Sequence, residues 1–242
     1  MRLMFLSCSA ALLLATAAGA PQAQQRPQAR PPEQVQVNDL LSEIQVTSGS
    51  TSTLDLVWWM PPTFWDVSLA QQGGIPDDMR AEINALFSQY VVLAAVSGSM
   101  GNLGAASYMG EAELRDKLVL VAPDGSTHRP LPPEDVDPRM AVLVGALKPM
   151  FASTLGPVGS NLNFYAFPGR AADGTLLVDP LSDGTMTVRI AETEYPFRLP
   201  LASLLAPARD PATGEEFPGN YRFNPFTGAP LQAAQANRPG NE

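Results

Sequence analysis

The chain reads as an α+β protein: a β-sheet or sandwich with about two packed helices and a small knuckle-like tail at its C-terminal end. Three observations predict that class. Short β-prone runs cluster toward both ends of the folded part, two segments of helical period lie between them, and an x-Pro-x-Thr-Gly pattern occurs twice near the end. Strands grouped around helices argue against a regular β-α alternation and its parallel sheet.

Val35-Gln36-Val37 and Leu54-Asp55-Leu56-Val57-Trp58 read as strands by alternation and β-branched or aromatic content, with a polar Ser/Thr run from Thr47 to Thr53 between them. A helix is expected next. Pro76 suits a first-turn position, Asp77 and Asp78 favour the positive end of the dipole, and Met79, Ile83, Leu86, Phe87 and Tyr90 fall on one face. Tyr90 to Val96 then becomes a continuous apolar run, as a buried strand requires, and Lys117 to Ala122 is a second run closed by the turn signal Asp124-Gly125. Asp137-Pro138 opens another helix, with Met140, Leu143, Val144, Leu147, Met150 and Phe151 on its apolar side and Gly156 as its stop; Pro149 is expected to kink or break it. Short strands follow at Asn163 to Phe167, Leu176 to Val178, Met186 to Ala191 and Tyr195 to Leu199.

The first residues point to export. Met1-Arg2, an apolar run from Leu3 to Leu14 and the small residues Ala15 to Ala20 follow the order of a secretory signal peptide, and the run is short for a membrane span. Cys8, the single cysteine, would leave with it, so no disulfide is expected in the mature chain and stability must come from a buried core. With 45% hydrophobic residues the chain can build one sizeable domain. The expected organisation is a signal peptide over 1–19, a disordered Gln/Pro/Ala-rich linker over 20–34, an α+β domain over 35–205, the knuckle-like tail over 206–231 and a loose C-terminus over 232–242. A periplasmic or secreted location follows, with no transmembrane span in the mature chain. The formal charge of −9 disfavours nucleic acid and anionic lipid as partners.

In the tail, Asp210-Pro211-Ala212-Thr213-Gly214 and Asn224-Pro225-Phe226-Thr227-Gly228 resemble the paired Cys-Pro-x-Cys-Gly knuckles of a zinc ribbon. In that family four thiolates hold one tetrahedral zinc, and Pro and Gly shape the turns that aim them. Here Asp210, Thr213, Asn224 and Thr227 stand where the sulfurs would be, so the resemblance implies a turn scaffold without its metal. Without zinc something else must hold the knuckles, and Tyr221, Phe223 and Phe226 are expected to pack them against the body.

Two segments stand out as candidate sites. Trp58, Trp59, Phe64 and Trp65 gather the three tryptophans around Pro61-Pro62, and aromatic rings on a stiff turn can stack on sugars or anchor a protein. Alternation sends Trp58 and Trp59 to opposite faces of a strand, so one is expected in the core and another exposed. Ser97-Gly98-Ser99-Met100-Gly101 resembles the Gly-x-Ser-x-Gly nucleophile elbow of α/β-hydrolases, with Ser97 in place of the first Gly. The resemblance implies a hydrolase using Ser99 with His128, the only histidine, and an acid such as Asp124; the short spacing departs from that family's chain order. The series Gly98, Gly101, Gly104 differs in spacing from a dinucleotide fingerprint, and no cofactor is expected. One histidine and, in the mature chain, no cysteine cannot build a transition-metal site of the usual kind, and the acidic turns Glu134 to Asp137 and Asp179 to Gly184 match no calcium-loop spacing, so no metal is expected. The reading that results is an exported, non-catalytic envelope protein that binds another protein or an envelope polymer through Trp58, Trp59, Phe64 and Trp65, with an exported serine hydrolase as the alternative.

Overall fold

The longest strand organises the molecule. In the computed structural model, which describes residues 29–47, 53–72, 74–101 and 106–233, β3 (Tyr90–Met100) pairs along one side with β2 (Thr53–Trp59), and β1 (Gln45–Thr47) lies beyond β2. On its other side β3 pairs first with β7 (Asn163–Pro168) and then with β4 (Ala106–Tyr108), and every pairing is antiparallel. A second antiparallel sheet has the order β6-β5-β8-β9, built from β5 (Leu118–Val121), β6 (Thr127–His128), β8 (Gly184–Ile190) and β9 (Thr193–Leu199). The expected signal peptide, with Cys8, lies outside the described residues.

Both faces of the first sheet are covered, and the sequence of β2 shows why. Leu54, Leu56 and Trp58 look one way, and Val57 and Trp59 the other; all five are apolar, so neither face can be left to water. Trp58 packs edge-on to Phe64 of α2 (Pro62–Gln71) at 5.6 Å and to Phe151 of α5 (Pro138–Leu155) at 5.3 Å, which places the helices on its side. Trp59 meets Phe197 of β9 at 6.3 Å, so the second sheet lies on the opposite side. The helices α2, α5 and Asp77–Phe87, the first sheet and the second sheet form three layers around one continuous apolar cluster. A polar bond also crosses between the sheets: the Tyr195 hydroxyl donates to Asp55 Oδ2 at 2.5 Å.

The α+β class is as read from the sequence, with more helices than the two expected. The two expected are α3 (Asp77–Phe87) and α5; the others among the described residues are α1 (Val37–Ile44), α2, α4 (Glu111–Lys117) and α6 (Pro157–Ser160). Val35-Gln36-Val37 is not a strand. Val37, Leu40, Leu41 and Ile44 recur at helical spacing, which a three-residue window cannot display, and Leu40 and Ile44 are fully buried as the inner face of α1. Nor is Leu176 to Val178 a strand; Leu176 makes one isolated bridge to Arg170. Pro149 does not end α5, which continues to Leu155, although Pro149 has no N–H to give the Gly145 carbonyl one turn earlier. The linker expected to be disordered through residue 34 is held from residue 29: Arg30 N–H donates to the Leu204 carbonyl at 2.7 Å, Pro32–Gln34 forms a turn and Val35 is buried.

The tail folds as two like turns beside a small sheet of β10 (Ala208–Arg209), β11 (Glu216–Phe217) and β12 (Gln232–Ala233). Asp210 Oδ1 accepts from the N–H groups of Ala212 and Thr213, and Asn224 Oδ1 accepts from those of Phe226 and Thr227. Gly214 and Gly228 take positive φ of 75° and 72°, and each N–H closes its turn onto the Asp210 or Asn224 carbonyl. Between the two turns, Asn224 Nδ2 donates to Asp210 Oδ2 at 2.7 Å. Both side chains are buried, and the bond between them joins the knuckles. The expected aromatic clasp is corrected: Tyr221, Phe223 and Phe226 are exposed, Phe226 at 82%. Phe217 is buried instead, Asn220 donates to the Pro200 carbonyl, and Gly219 sits so close to Leu205 and Ala206 that a Cβ would lie 2.5 Å from them.

Candidate functional site

The aromatic segment proves to be core. Trp58, Trp59, Phe64 and Trp65 are all buried, so none offers a face to a partner. Opposite faces of β2 both carry core because each is covered, which the alternation argument did not allow for. Pro61 and Pro62 do not stiffen an exposed turn; they begin α2, with Pro62 in the first helical turn, and the helix brings Phe64 and Trp65 back inward. Trp65 then stacks on Phe87 of α3 at 4.5 Å.

Ser99 and His128 are not brought together as a nucleophile and its base. Ser99 is a ladder residue of β3, opposite Thr53 on one side and Ser107 on the other, so no strand-to-helix elbow exists there. Gly104 lies outside the described residues. His128 belongs to β6 in the other sheet, where its Nε2 is 2.9 Å from Ser126 Oγ. Ser126 gives its hydroxyl proton to Asp124 Oδ1 at 2.6 Å and its N–H to the same oxygen at 2.8 Å. These bonds, the hydroxyl's first, hold the Asp124 carboxyl below its ordinary value. In a Ser-His-Asp set the acid orients the histidine; here it binds the serine and shapes the turn between β5 and β6.

The acidic segments serve backbone. Asp137 caps α5 by accepting from Arg139 N–H and also pairs with the Arg139 guanidinium at 2.7 Å, while Asp179 accepts from Leu181 N–H and the Ser182 hydroxyl. Among the described residues no group of three His, Cys, Asp or Glu side chains could hold a metal ion. No helix among them is long and apolar enough to cross a membrane.

The feature that sequence reasoning missed is a cleft of about 580 Å³ where α5 passes over the rim of the first sheet, a size within the roughly 300–1,000 Å³ of ligand sites. Its floor is apolar: Val92 of β3 with Phe164 and Ala166 of β7. Met140, Ala141, Val144 and Gly145 of α5 form its roof, and Leu131 and Val136 close the side. Gly145 lies inside the helix without a positive φ, and a Cβ built there meets no atom within 4 Å. The fold does not require glycine at that point, and alanine would favour the helix by about 1 kcal/mol.

Charges frame the cleft unevenly. Arg115 is already engaged: it pairs with Glu111 at 2.8 Å, donates to the Leu131 carbonyl at 2.8 Å and lies 5.2 Å over the Tyr165 ring. Burial, more than the nearby Glu111 carboxylate, pushes the Tyr165 phenol up, so it stays protonated and donates to the Glu111 carbonyl at 3.2 Å. The side chains of Lys148 and Glu134, by contrast, line the cleft and make no hydrogen bond or ion pair among the described residues.

The backbone of β7 adds polar groups to this setting. Met60 N–H donates to the Val92 carbonyl on the β2 side, so Val92 and Ala166 face each other as a non-bonded pair in the ladder, as do Ala94 and Phe164. The amides of Phe164 and Ala166 therefore point to the outer edge of β7. There the Ala166 carbonyl accepts from Leu131 N–H at 2.7 Å, whereas the Ala166 N–H and both backbone groups of Phe164 have no partner among the described residues.

Comparison with protein-family models, with curated proteins and with solved structures finds no match. The sequence held two signals for the cleft: a glycine inside an otherwise apolar helix, and Lys148, one of only two lysines, on that same helix.

Proposed function

We propose that the protein is an exported, non-catalytic component of a bacterial envelope that binds another protein or an envelope polymer, and that the occupant seats in the cleft between α5 and β7. The observation that carries this reading is the combination in one concave place of an apolar floor with a Lys148 ammonium and backbone groups of Phe164 and Ala166 that have no partners among the described residues. Such groups at a half-buried edge are costly to leave unsatisfied, and a ligand can satisfy them. Gly145 supports the same reading, since it forgoes helix stability to keep the roof low. Export is inferred from the apolar N-terminal run and the small residues after it.

The test is retention of envelope components from the host by the wild-type protein and by Gly145→Leu, whose side chain would fill the cleft from an open position. A companion held by the first and lost by the folded variant supports the proposal. Identical companions in identical yield would remove the cleft from consideration. The mature N-terminus, read by mass spectrometry from the periplasmic fraction, should start close to residue 20; a protein beginning at Met1 would contradict export.

A further inference from the structure

We infer that the occupant of the cleft is an extended peptide segment of a partner protein, added as a new strand along the outer edge of β7. The inference rests on the cleft being the binding site and goes beyond it by naming the ligand's chemistry. Ladder parity decides the matter. Phe164 presents an N–H and a C=O outward, and two residues on Ala166 presents an N–H, which is the spacing an incoming strand meets with its own alternate residues. Leu131 bonds the Ala166 carbonyl, so the chain's own segment holds the edge at that point, and the groups left for an added strand among the described residues are the Phe164 N–H and C=O and the Ala166 N–H. Ala166 is 9% exposed, so water reaches its N–H poorly, and a strand would satisfy it.

The side-chain chemistry agrees. Alternate residues of an added strand would point toward α5, beside the Phe164 and Ala166 side chains, and the residues between them toward the opposite face, where Tyr165 and Arg115 lie. At Gly145 the absent Cβ leaves room for the peptide. The two unbonded charges set the polarity. Both charges line the cleft, Glu134 before the start of α5 and Lys148 within it, so in chain order they flank the roof residues Met140 to Gly145. The segment that fits therefore carries apolar side chains at alternating positions, a basic group toward Glu134, and an acidic side chain or carboxyl terminus toward Lys148. An acyl chain would fill the apolar floor but would leave the β7 amides without partners.

The experiment is selection of random peptides displayed on phage by the mature protein, followed by titration of a synthetic peptide of the selected sequence into isotope-labelled protein. The expected result has four parts: an alternating apolar pattern with an acidic group; affinity lowered at least about tenfold in Gly145→Leu and in Lys148→Glu; amide exchange at Phe164 and Ala166 slowed at least about tenfold on binding; and loss of binding when the peptide amides that face β7 are N-methylated. Thermal melting shows whether each variant is folded, and Gly145→Ala provides a milder second variant. A peptide that loses affinity in Gly145→Leu yet leaves Phe164 and Ala166 exchange unchanged would overturn strand addition and leave the cleft reading standing. The same holds if dodecanoate, in place of any peptide, perturbs the cleft amides. Peptides that bind both variants as well as wild type, or no selected peptide at all, would overturn the peptide assignment, and the retention assay on envelope components then decides the cleft independently.

Discussion

Trp59→Ala and Phe226→Ala should behave in opposite ways to what the sequence suggests, and the pair measures how the core is built. Trp59 is 2% exposed and packs against Phe197 across the two sheets. A tryptophan buries about 150–250 Å². At about 25 cal/mol per Å² that corresponds to about 4–6 kcal/mol for its burial, and truncations of large aromatics in cores cost about 3–5 kcal/mol. Set against a typical domain stability of about 5–15 kcal/mol, Trp59→Ala should leave the protein marginally folded. Phe226 has little to lose, and Phe226→Ala should change stability by less than about 0.5 kcal/mol. Urea unfolding followed by far-ultraviolet circular dichroism, which does not depend on the tryptophan removed, gives both values. A cost below about 1.5 kcal/mol for Trp59→Ala would refute the three-layer packing, and a cost above that for Phe226→Ala would refute the reading of Phe226 as an exposed ring that touches only the edge of Phe217.

The tail and the helix make three further predictions. Because the Asp210 and Asn224 turns are chemically alike, Asn224→Asp alone should set two carboxylates against each other and raise amide exchange across 208–233, whereas the double swap Asp210→Asn/Asn224→Asp should restore protection; a double variant as loose as the single one would sink the idea of interchangeable knuckles. The Asn224 carboxamide, and then the Ala212 and Thr213 N–H groups, hold the Asp210 carboxyl below the ordinary 3.8, so its contribution is present above that value and is lost as pH falls through the lowered one. Amide exchange of the tail should therefore rise in that acid window, and Asp210→Asn should flatten the dependence; an unchanged profile in the variant counts against it. Gly145→Ala should raise Tm by about 2–4 °C, as about 1 kcal/mol does in a chain of this size, because a methyl there meets open space. A lower Tm would show that something in the fold needs the glycine.

How far the sequence could be read depended on the length over which each signal repeats. β3, β7, β8 and β9 were legible because long apolar or alternating runs bounded by turns leave little choice of state, and α3 and α5 because their apolar faces extend over several turns. Val35-Gln36-Val37 failed because three residues cannot distinguish period 2 from period 3.6. The tryptophans were misplaced for a tertiary reason: local alternation gives two faces, but only the second sheet, brought over β2 by β9, decides that both faces are interior. The knuckle turns were legible down to their glycines, since Pro-x-Thr-Gly dictates backbone form. Their clasp was not, because it depends on Asp210 and Asn224 meeting across fourteen residues of chain. The cleft was invisible for the same kind of reason. Its floor comes from β3 and β7 and its roof from α5, and the unpaired amides of β7 emerge only once the ladder is known.

The measurement closest to the central claim is photo-crosslinking from the roof of the cleft. Ala141→Cys, on the exposed part of α5 that lines the cleft, and Glu194→Cys, exposed on β9, would each carry a benzophenone and be irradiated in the envelope of the host. A discrete adduct from position 141 that disappears when Gly145→Leu is added, with none from position 194, is the expected result. Adducts of equal yield from both positions, or an adduct at 141 that survives Gly145→Leu, would contradict a binding site between α5 and β7.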